Sequence, residues 1–263
     1  VWNLPPYSPL ALLQQGLEPV RRVMAANMRH AAALRIDHVL GFARQFWVPR
    51  GAEGRHGAYV RFPLDGLLAV TALESRRNRC LVVGEDLGTV PEGLRERLAQ
   101  AEVFSYRVLW FEREGRGFRR PEAYPARALA CLASHDLPTF AGWRRGRDIA
   151  IGRELGQIGE EDVPSRMAER AREIALLDDL AGSTGAGEAE ASAAAHGLVA
   201  RTPSRIMLIQ ADDLAGETDP LNVPGTDREW PNWRRRVSTP VESLTQPPLA
   251  RGIIAGVKEE RSP

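Results

Sequence analysis

The chain has 263 residues, 43% of them apolar and 26% charged, which is enough apolar sequence for one large domain or two small ones. Thirty-five basic residues against 34 acidic leave a net charge of +1, so no strong basic field exists to hold nucleic acid, polyphosphate or an anionic membrane. The two cysteines, Cys80 and Cys131, sit in apolar runs without metal-ligand spacing and read as buried reduced thiols.

The opening stretch, VWNLPPYSPL, has no basic flank before an apolar segment, and no run of about 18 apolar residues could span a bilayer. A soluble, cytoplasmic protein is expected. The start on Val1 inside a Pro-rich stretch suggests lost upstream sequence. From Leu17 to Ala31, apolar Leu17, Val20, Met24, Met28 and Ala31 recur every three or four residues, which predicts a helix with one buried face. ALRIDHV follows as a short strand. A second helix is expected around Leu67, Leu68 and Leu73, before CLVVGED, a compact apolar run typical of a strand buried on both faces.

Thr89 and Glu92 have the spacing of a capping box, with Pro91 in the first turn of a helix running through GLRERLAQ. YRVLWF, LACLAS and RIMLIQ complete five candidate strands, mostly separated by helical stretches, as in a parallel α/β sheet or barrel. Residues 148–200 break this rhythm and read as a helical insertion with a flexible middle in AGSTGAGEAEASAAAHG. After Thr239 the Pro-rich sequence suggests a loose C-terminal tail, 241–263, behind a main domain of 1–240.

Three acids stand immediately after strand-like runs: Asp37 in RIDH, Glu85 in GEDLG and Asp136 in SHDLP. In a parallel barrel, side chains at the C-terminal strand ends converge on one site although distant in sequence. Retaining glycosidic chemistry needs two such carboxylates, one to attack the anomeric carbon and one to protonate the departing oxygen, and a third can stabilise the transition state. Arg35, two residues before Asp37, would keep that carboxylate ionised, whereas Glu85 needs a raised pKa to enter the reaction protonated. Each acid taken alone reads more readily as a cap or loop closure, but three together, each in its own short motif, favour the catalytic reading. No metal or organic cofactor is called for by this chemistry. Trp47, Trp110 and Trp143 read first as core, although each could stack on a glucose ring. His30, His56 and His196 have no motif context.

RIDHVLGF, GEDLGTVPEGLRERL, SYRVLWFE, ASHDLPTFAGW and NVPGTDREWPNWRRR resemble, in order and spacing, the motif series of amylomaltases, the disproportionating enzymes of the α-amylase superfamily. The likeness runs from Trp2 to about Arg236. It implies a (β/α)8 (TIM) barrel of which the chain supplies strands four to eight, with a helical insertion before the last. It also implies that Asp37 is the nucleophile, Glu85 the general acid/base and Asp136 the transition-state stabiliser. Arg35, His38 and His135 match positions that contact the sugar at the cleavage subsite. Asn222, Pro224 and Gly225 belong to a loop that lines acceptor subsites, and Trp2 to Tyr7 to a stretch lining the glucan groove, with Asn3 where many members have glycine.

The implied activity is 4-α-glucanotransfer on α-1,4-glucans and maltooligosaccharides by double displacement. An α-amylase-type hydrolase would use the same three acids, and a non-catalytic glucan-binding remnant would keep groove aromatics without needing them. With the first three strands missing, two open sheet edges make the isolated chain marginal.

Overall fold

The computed structural model describes residues 5–262, so the expected role of Trp2 falls outside the described residues. The five candidate strands, Ala33–Ile36 (β1), Leu81–Gly84 (β4), Phe104–Val108 (β5), Ala128–Cys131 (β8) and Ile206–Leu208 (β9), form one sheet in the order β1-β4-β5-β8-β9. β1 pairs parallel with β4, and β4 with β5. Helices alternate with these strands, giving a mixed α/β fold on a parallel five-stranded sheet. The chain divides into two compact units, residues 1–106 with 127–129, and residues 107–126 with 130–263.

In the first unit, Pro9–Gln14 (α1) and Glu18–Met28 (α2) precede β1. α1 is capped by Ser8, whose side chain accepts from the Ala11 N–H, in a stretch that the sequence presents as loop. Met24 and Met28 of α2 are buried with Val39, Leu68, Val82, Leu94 and Leu98 in one core. A hairpin of Arg44–Trp47 (β2) and Ala58–Arg61 (β3) follows β1, and Leu64–Asn78 (α3) returns the chain to β4. Leu67 and Leu68 of α3 face the core as expected, but Leu73 is exposed while Thr71 and Glu74 are buried. Glu74 tolerates burial because Arg21 and Arg77 both reach its carboxylate.

The expected capping box is not formed. Leu94–Gln100 (α4) begins behind Gly93, which takes φ +74 as N-cap without a side-chain bond, and Pro91 instead accepts the Leu94 N–H in a separate turn. A positive-φ residue between Pro91 and the helix breaks the register that Thr89 and Glu92 would need.

In the second unit, a short hairpin of Arg113–Glu114 (β6) and Gly117–Phe118 (β7) precedes β8. Phe140–Arg144 (α5), Arg147–Glu154 (α6), Val163–Ala181 (α7) and Glu188–Ala200 (α8) then lead to β9, followed by Ala211–Ala215 (α9) and Pro248–Arg261 (α10). Two-oxygen ion pairs tie three of these helices together: Arg144 to Asp178 at 2.7 and 3.0 Å, and Arg170 to Asp148 at 2.8 Å on both oxygens. Trp110 and Trp143 are core, stacked at 4.4 Å.

Two expectations are corrected here. The supposed flexible middle is largely α8, because its Ala-rich sequence has high helix propensity and its inward face is buried from Ala191 to Ala200. The supposedly loose terminus contains α10, which packs on α8. Gly252 and Gly256 of α10 meet Ala193 of α8 at 3.9 and 3.5 Å from where a Cβ would stand, so small residues let the two helices approach closely. Few bulky residues are needed when backbone packs on backbone; Ala250 and Ile253, both 0% exposed, suffice.

Ile253→Ala should therefore destabilise the second unit by about 2–5 kcal/mol, read by chemical denaturation. Val241→Ala, at a site 78% exposed, should stay within about 0.5 kcal/mol. Equal small effects would mean that α10 is not part of the folded core.

Candidate active site

β1 and β4 run side by side, with Arg35 opposite Val83 and Ile36 opposite Gly84. Gly84 is required by close approach, since a Cβ there would stand 2.9 Å from Val39 and 3.1 Å from Val103. Beyond the strand ends the two chains remain laced: the Glu85 N–H donates to the Ile36 carbonyl at 2.9 Å, and the Val39 N–H donates to the Glu85 carbonyl at 3.0 Å. Between Ile36 and Val39 the chain turns sharply, with His38 at φ +46, a left-handed conformation costly for a residue with a Cβ. That turn aims the His38 N–H at the Glu85 carboxylate, Oε2, at 2.6 Å.

The result joins Asp37 and Glu85 through one guanidinium. Arg35 Nη1 lies 2.8 Å from Asp37 Oδ1, and Nη2 lies 3.9 Å from Glu85 Oε2. Arg35 itself rests over the Tyr106 ring, 5.0 Å from its centroid. The two acids have opposite environments: the Asp37 side chain is 64% exposed and that of Glu85 14%. Burial pushes the Glu85 pKa up, partly opposed by the His38 N–H and by the Arg35 charge, with the Asp37 charge adding to the rise.

Asp86 was not singled out in the sequence, yet it fixes this loop. Its carboxylate, 1% exposed, accepts from Ser105 Oγ at 2.5 Å, the Tyr106 N–H at 3.0 Å and Arg95 Nε at 3.0 Å. Arg95 is the second residue of α4, so strand β5, helix α4 and the Glu85 loop meet on one carboxylate. Only its place beside Glu85 in GEDLG could have flagged it.

A groove of about 900 Å³ opens beside Asp37 and His38, lined by Tyr7, Gln45, Phe46, Trp47 and His56 among others. Phe46 and Tyr7 expose 49% and 55% of their surface, while Trp47 is half-buried edge-on against Phe62 at 6.3 Å. Trp47 thus belongs to the groove as much as to the core, and His56, which had no motif context, lies in its wall. The phenylalanine ring occupies the place where a Cβ on Gly57 would be, 2.5 Å away, which shapes the hairpin.

Beyond the end of β8, in the second unit, buried Leu132 and Ala133 lead to His135 and Asp136. His135 Nε2 stands 3.4 Å from Asp136 Oδ2, and Asn222 Nδ2 donates to Asp136 Oδ1 at 2.6 Å. The Asn222 loop is a tight turn: the Thr226 N–H donates to the Val223 carbonyl at 3.2 Å, with Pro224 and Gly225 (φ +86) at the centre. Pro at the second and Gly at the third position are what a type II turn demands. Asn232 staples it, accepting from the Val223 N–H at 2.9 Å and donating to Thr226 Oγ1 at 2.8 Å. Its neighbour Trp233, 60% exposed, lies 5.2 Å from the His135 ring. Both residues sit in a quoted motif but carried no distinguishing local signal. Among the described residues, no cluster of three His, Cys, Asp or Glu is placed to hold a metal ion, and no helix is long and apolar enough to cross a membrane.

A family model described as 4-alpha-glucanotransferase, glycosyl hydrolase family 77, matches residues 1–242. The 4-alpha-glucanotransferase of Haemophilus influenzae is 36% identical over 253 residues, covering 91% of this chain and 36% of its own length. That of Mycobacterium tuberculosis is also 36% identical, covering 91% and 34%. The chain thus spans about a third of these relatives' length. The crystal structure of amylomaltase from Corynebacterium glutamicum superimposes with a TM-score of 0.91 at 33% identity, over 97% of this chain and 40% of that one. The Streptococcus agalactiae amylomaltase in complex with acarbose, 18% identical with a TM-score of 0.75, shares the fold over 100% and 47% of the two chains.

The opposing charges around Glu85 make a directional prediction. Asp37→Asn should lower the Glu85 pKa and Arg35→Met should raise it, followed by carboxyl carbon resonances in a pH titration. Because the folded-state carboxyl titrates above its unfolded value, its stabilising contribution is present at low pH and lost as pH rises through the raised pKa. Glu85→Gln should therefore gain stability relative to wild type at pH 7 compared with pH 4. A Glu85 that titrates at the ordinary carboxylate value in all three proteins would overturn this account of the site.

Proposed function

The chain belongs to glycosyl hydrolase family 77, the 4-alpha-glucanotransferases, and on that premise we propose that it carries the reacting carboxylates of an enzyme that moves segments of α-1,4-glucan between sugar acceptors. The observation that carries this reading is the shared guanidinium of Arg35, with an exposed Asp37 on one side and a partly buried Glu85 of raised pKa on the other, at the edge of an aromatic groove. Arg35 sets a positive charge beside the carboxylate that would attack, and burial raises the pKa of the acid that would protonate the leaving oxygen.

Asp37 attacks the anomeric carbon as Glu85 gives its proton to the departing glycosidic oxygen, which leaves as the 4-hydroxyl of the released sugar. The resulting Glu85 carboxylate then takes the proton of an incoming 4-hydroxyl, whose oxygen displaces Asp37 and restores the α configuration. Asp136 stabilises the cationic transition state, while Arg35, His38, His135 and Tyr7 contact sugar, as the family motif implies for Trp2 also. The loop of Asn222, Pro224 and Gly225 serves the acceptor. Transfer prevails over hydrolysis when an acceptor occupies its subsites and water is excluded.

For architecture, we infer that the sheet represents strands four to eight of a (β/α)8 barrel, with α6 to α8 inserted before the last strand and 241–263 as its C-terminal tail. The similarity to the Corynebacterium amylomaltase supports this reading.

The native polypeptide, given maltotriose, should yield glucose and a ladder of longer maltooligosaccharides while free reducing ends stay nearly constant, because each transfer breaks one glycosidic bond and makes one. Reducing ends rising in step with bonds cleaved, with no product longer than substrate, would establish the hydrolase alternative. Asp37→Asn should abolish turnover, and Glu85→Gln should lose about 10²–10⁴-fold on maltotriose yet retain the first step on a glycosyl fluoride, whose leaving group needs no protonation. Near-wild-type activity in both variants would mean that other carboxylates react.

A further inference from the structure

The second unit buries a histidine–aspartate pair to which the proposed chemistry gives no part. The side chains of His196 on α8 and Asp213 on α9 are both 0% exposed, with Nε2 and Oδ2 3.4 Å apart. Burying two titratable groups is costly unless their contacts offset the loss of water. Those contacts lead toward Asp136 and Asn222.

His196 Nδ1 lies 2.8 Å from the Ser192 carbonyl oxygen, which can only accept, so Nδ1 carries a proton. On the other side of the ring, Nε2 faces Asp213 Oδ2 at 3.4 Å, and neither of these two buried atoms has a hydrogen-bond partner among the described residues. The other oxygen of Asp213, Oδ1, accepts from the Phe140 N–H at 2.7 Å, and Phe140 is the first residue of α5, four positions beyond Asp136. Thr139, the N-cap of that helix, accepts from the Gly142 N–H at 3.0 Å and donates its Oγ1 to the Glu217 carbonyl at 2.6 Å. At Gly142 the backbone approach is so close that a Cβ would collide with the Thr218 carbonyl oxygen. From Thr218 the chain runs four residues to Asn222, whose amide donates to Asp136. The contacts close a ring from His196 through Asp213, the first turn of α5, residues 217–218 and Asn222 to Asp136.

We propose that His196 and Asp213 are positioning residues: His196 orients the Asp213 carboxylate, which pins the start of α5 and so sets Asp136 against Asn222, without either member of the pair touching sugar. The kinetic part of this proposal rests on the roles given above to Asp136 and Asn222; the structural part stands without them.

The test uses three variants. His196→Leu removes the polar ring that faces Asp213, His196→Gln restores a polar amide there, and Thr139→Val breaks the same network at the Glu217 carbonyl while leaving the buried pair intact. The side-chain amide resonance of Asn222, observed by NMR in the folded protein, should shift in His196→Leu and Thr139→Val and return toward its wild-type position in His196→Gln. For maltotriose disproportionation by the native polypeptide, kcat should fall about 10- to 100-fold in the first two with KM changed less than about twofold, and His196→Gln should recover most of it. An Asn222 resonance unmoved in folded His196→Leu overturns the proposal; if that variant does not fold, an unmoved resonance in Thr139→Val overturns it equally. KM rising in parallel with the loss of kcat, without rescue by glutamine, also overturns it. A shifted Asn222 resonance in a protein with no transfer activity upholds the positioning and refutes the transferase reading.

Discussion

The hydrogen bond from the His38 N–H to the Glu85 carboxylate is the contact around which the first unit is arranged. It requires a left-handed turn at a residue with a Cβ, close contact of β1 with β4 at Gly84, and a loop after β4 that cannot drift. Each condition is met by burial elsewhere: Val39 at 0% exposure fixes the far side of the turn, and Asp86 holds the loop from beneath. A strained backbone persists only where its surroundings over-determine it. Here those surroundings are a packed core on one side and a buried, triply bonded carboxylate on the other.

One arginine serving two acids creates an asymmetry that neither acid has alone. Arg35 bonds to Asp37 at 2.8 Å on the solvent side and stands 3.9 Å from the more enclosed Glu85, whose pKa its charge lowers against the effect of burial. Glu85 feels burial first, and the Asp37 charge reinforces it. The second unit supports its own acid differently, through a turn that hydrogen bonds close: Asn222 on Asp136, and Asn232 on the turn that presents Asn222.

The sheet was legible because its five strands are short apolar runs ending in polar motifs, a local pattern that burial on both faces imposes. The acids were legible for the same reason, as abrupt charges at strand ends. What the sequence concealed depended on partners distant along the chain. Nothing near His196 signals that Asp213 will meet it, and nothing near Asp86 signals Ser105 or Arg95. The helix α10 escaped although Leu249, Ile253 and Val257 recur every four residues, because the prolines that lead into it read as loop and its glycine and alanine contacts with α8 carry no bulk to notice. The Thr89 capping box failed in the opposite way: the local pattern was present, but Gly93 at φ +74 reset the helix start.

The hairpin β2–β3 forms a sheet of its own, two strands paired only with each other. An isolated two-stranded hairpin is marginal in water, and this one is held at its base, where Trp47 meets Phe62 and the Phe62 N–H donates to the Ala43 carbonyl at 3.0 Å. Its outer aromatic pair, Phe46 and Tyr59, 5.1 Å apart, faces solvent. The groove wall is thus energetically separable from the acids it borders. Its length and aromatic content can drift over evolutionary time and reshape the groove, while Arg35, Asp37 and Glu85 stay anchored to β1 and the end of β4.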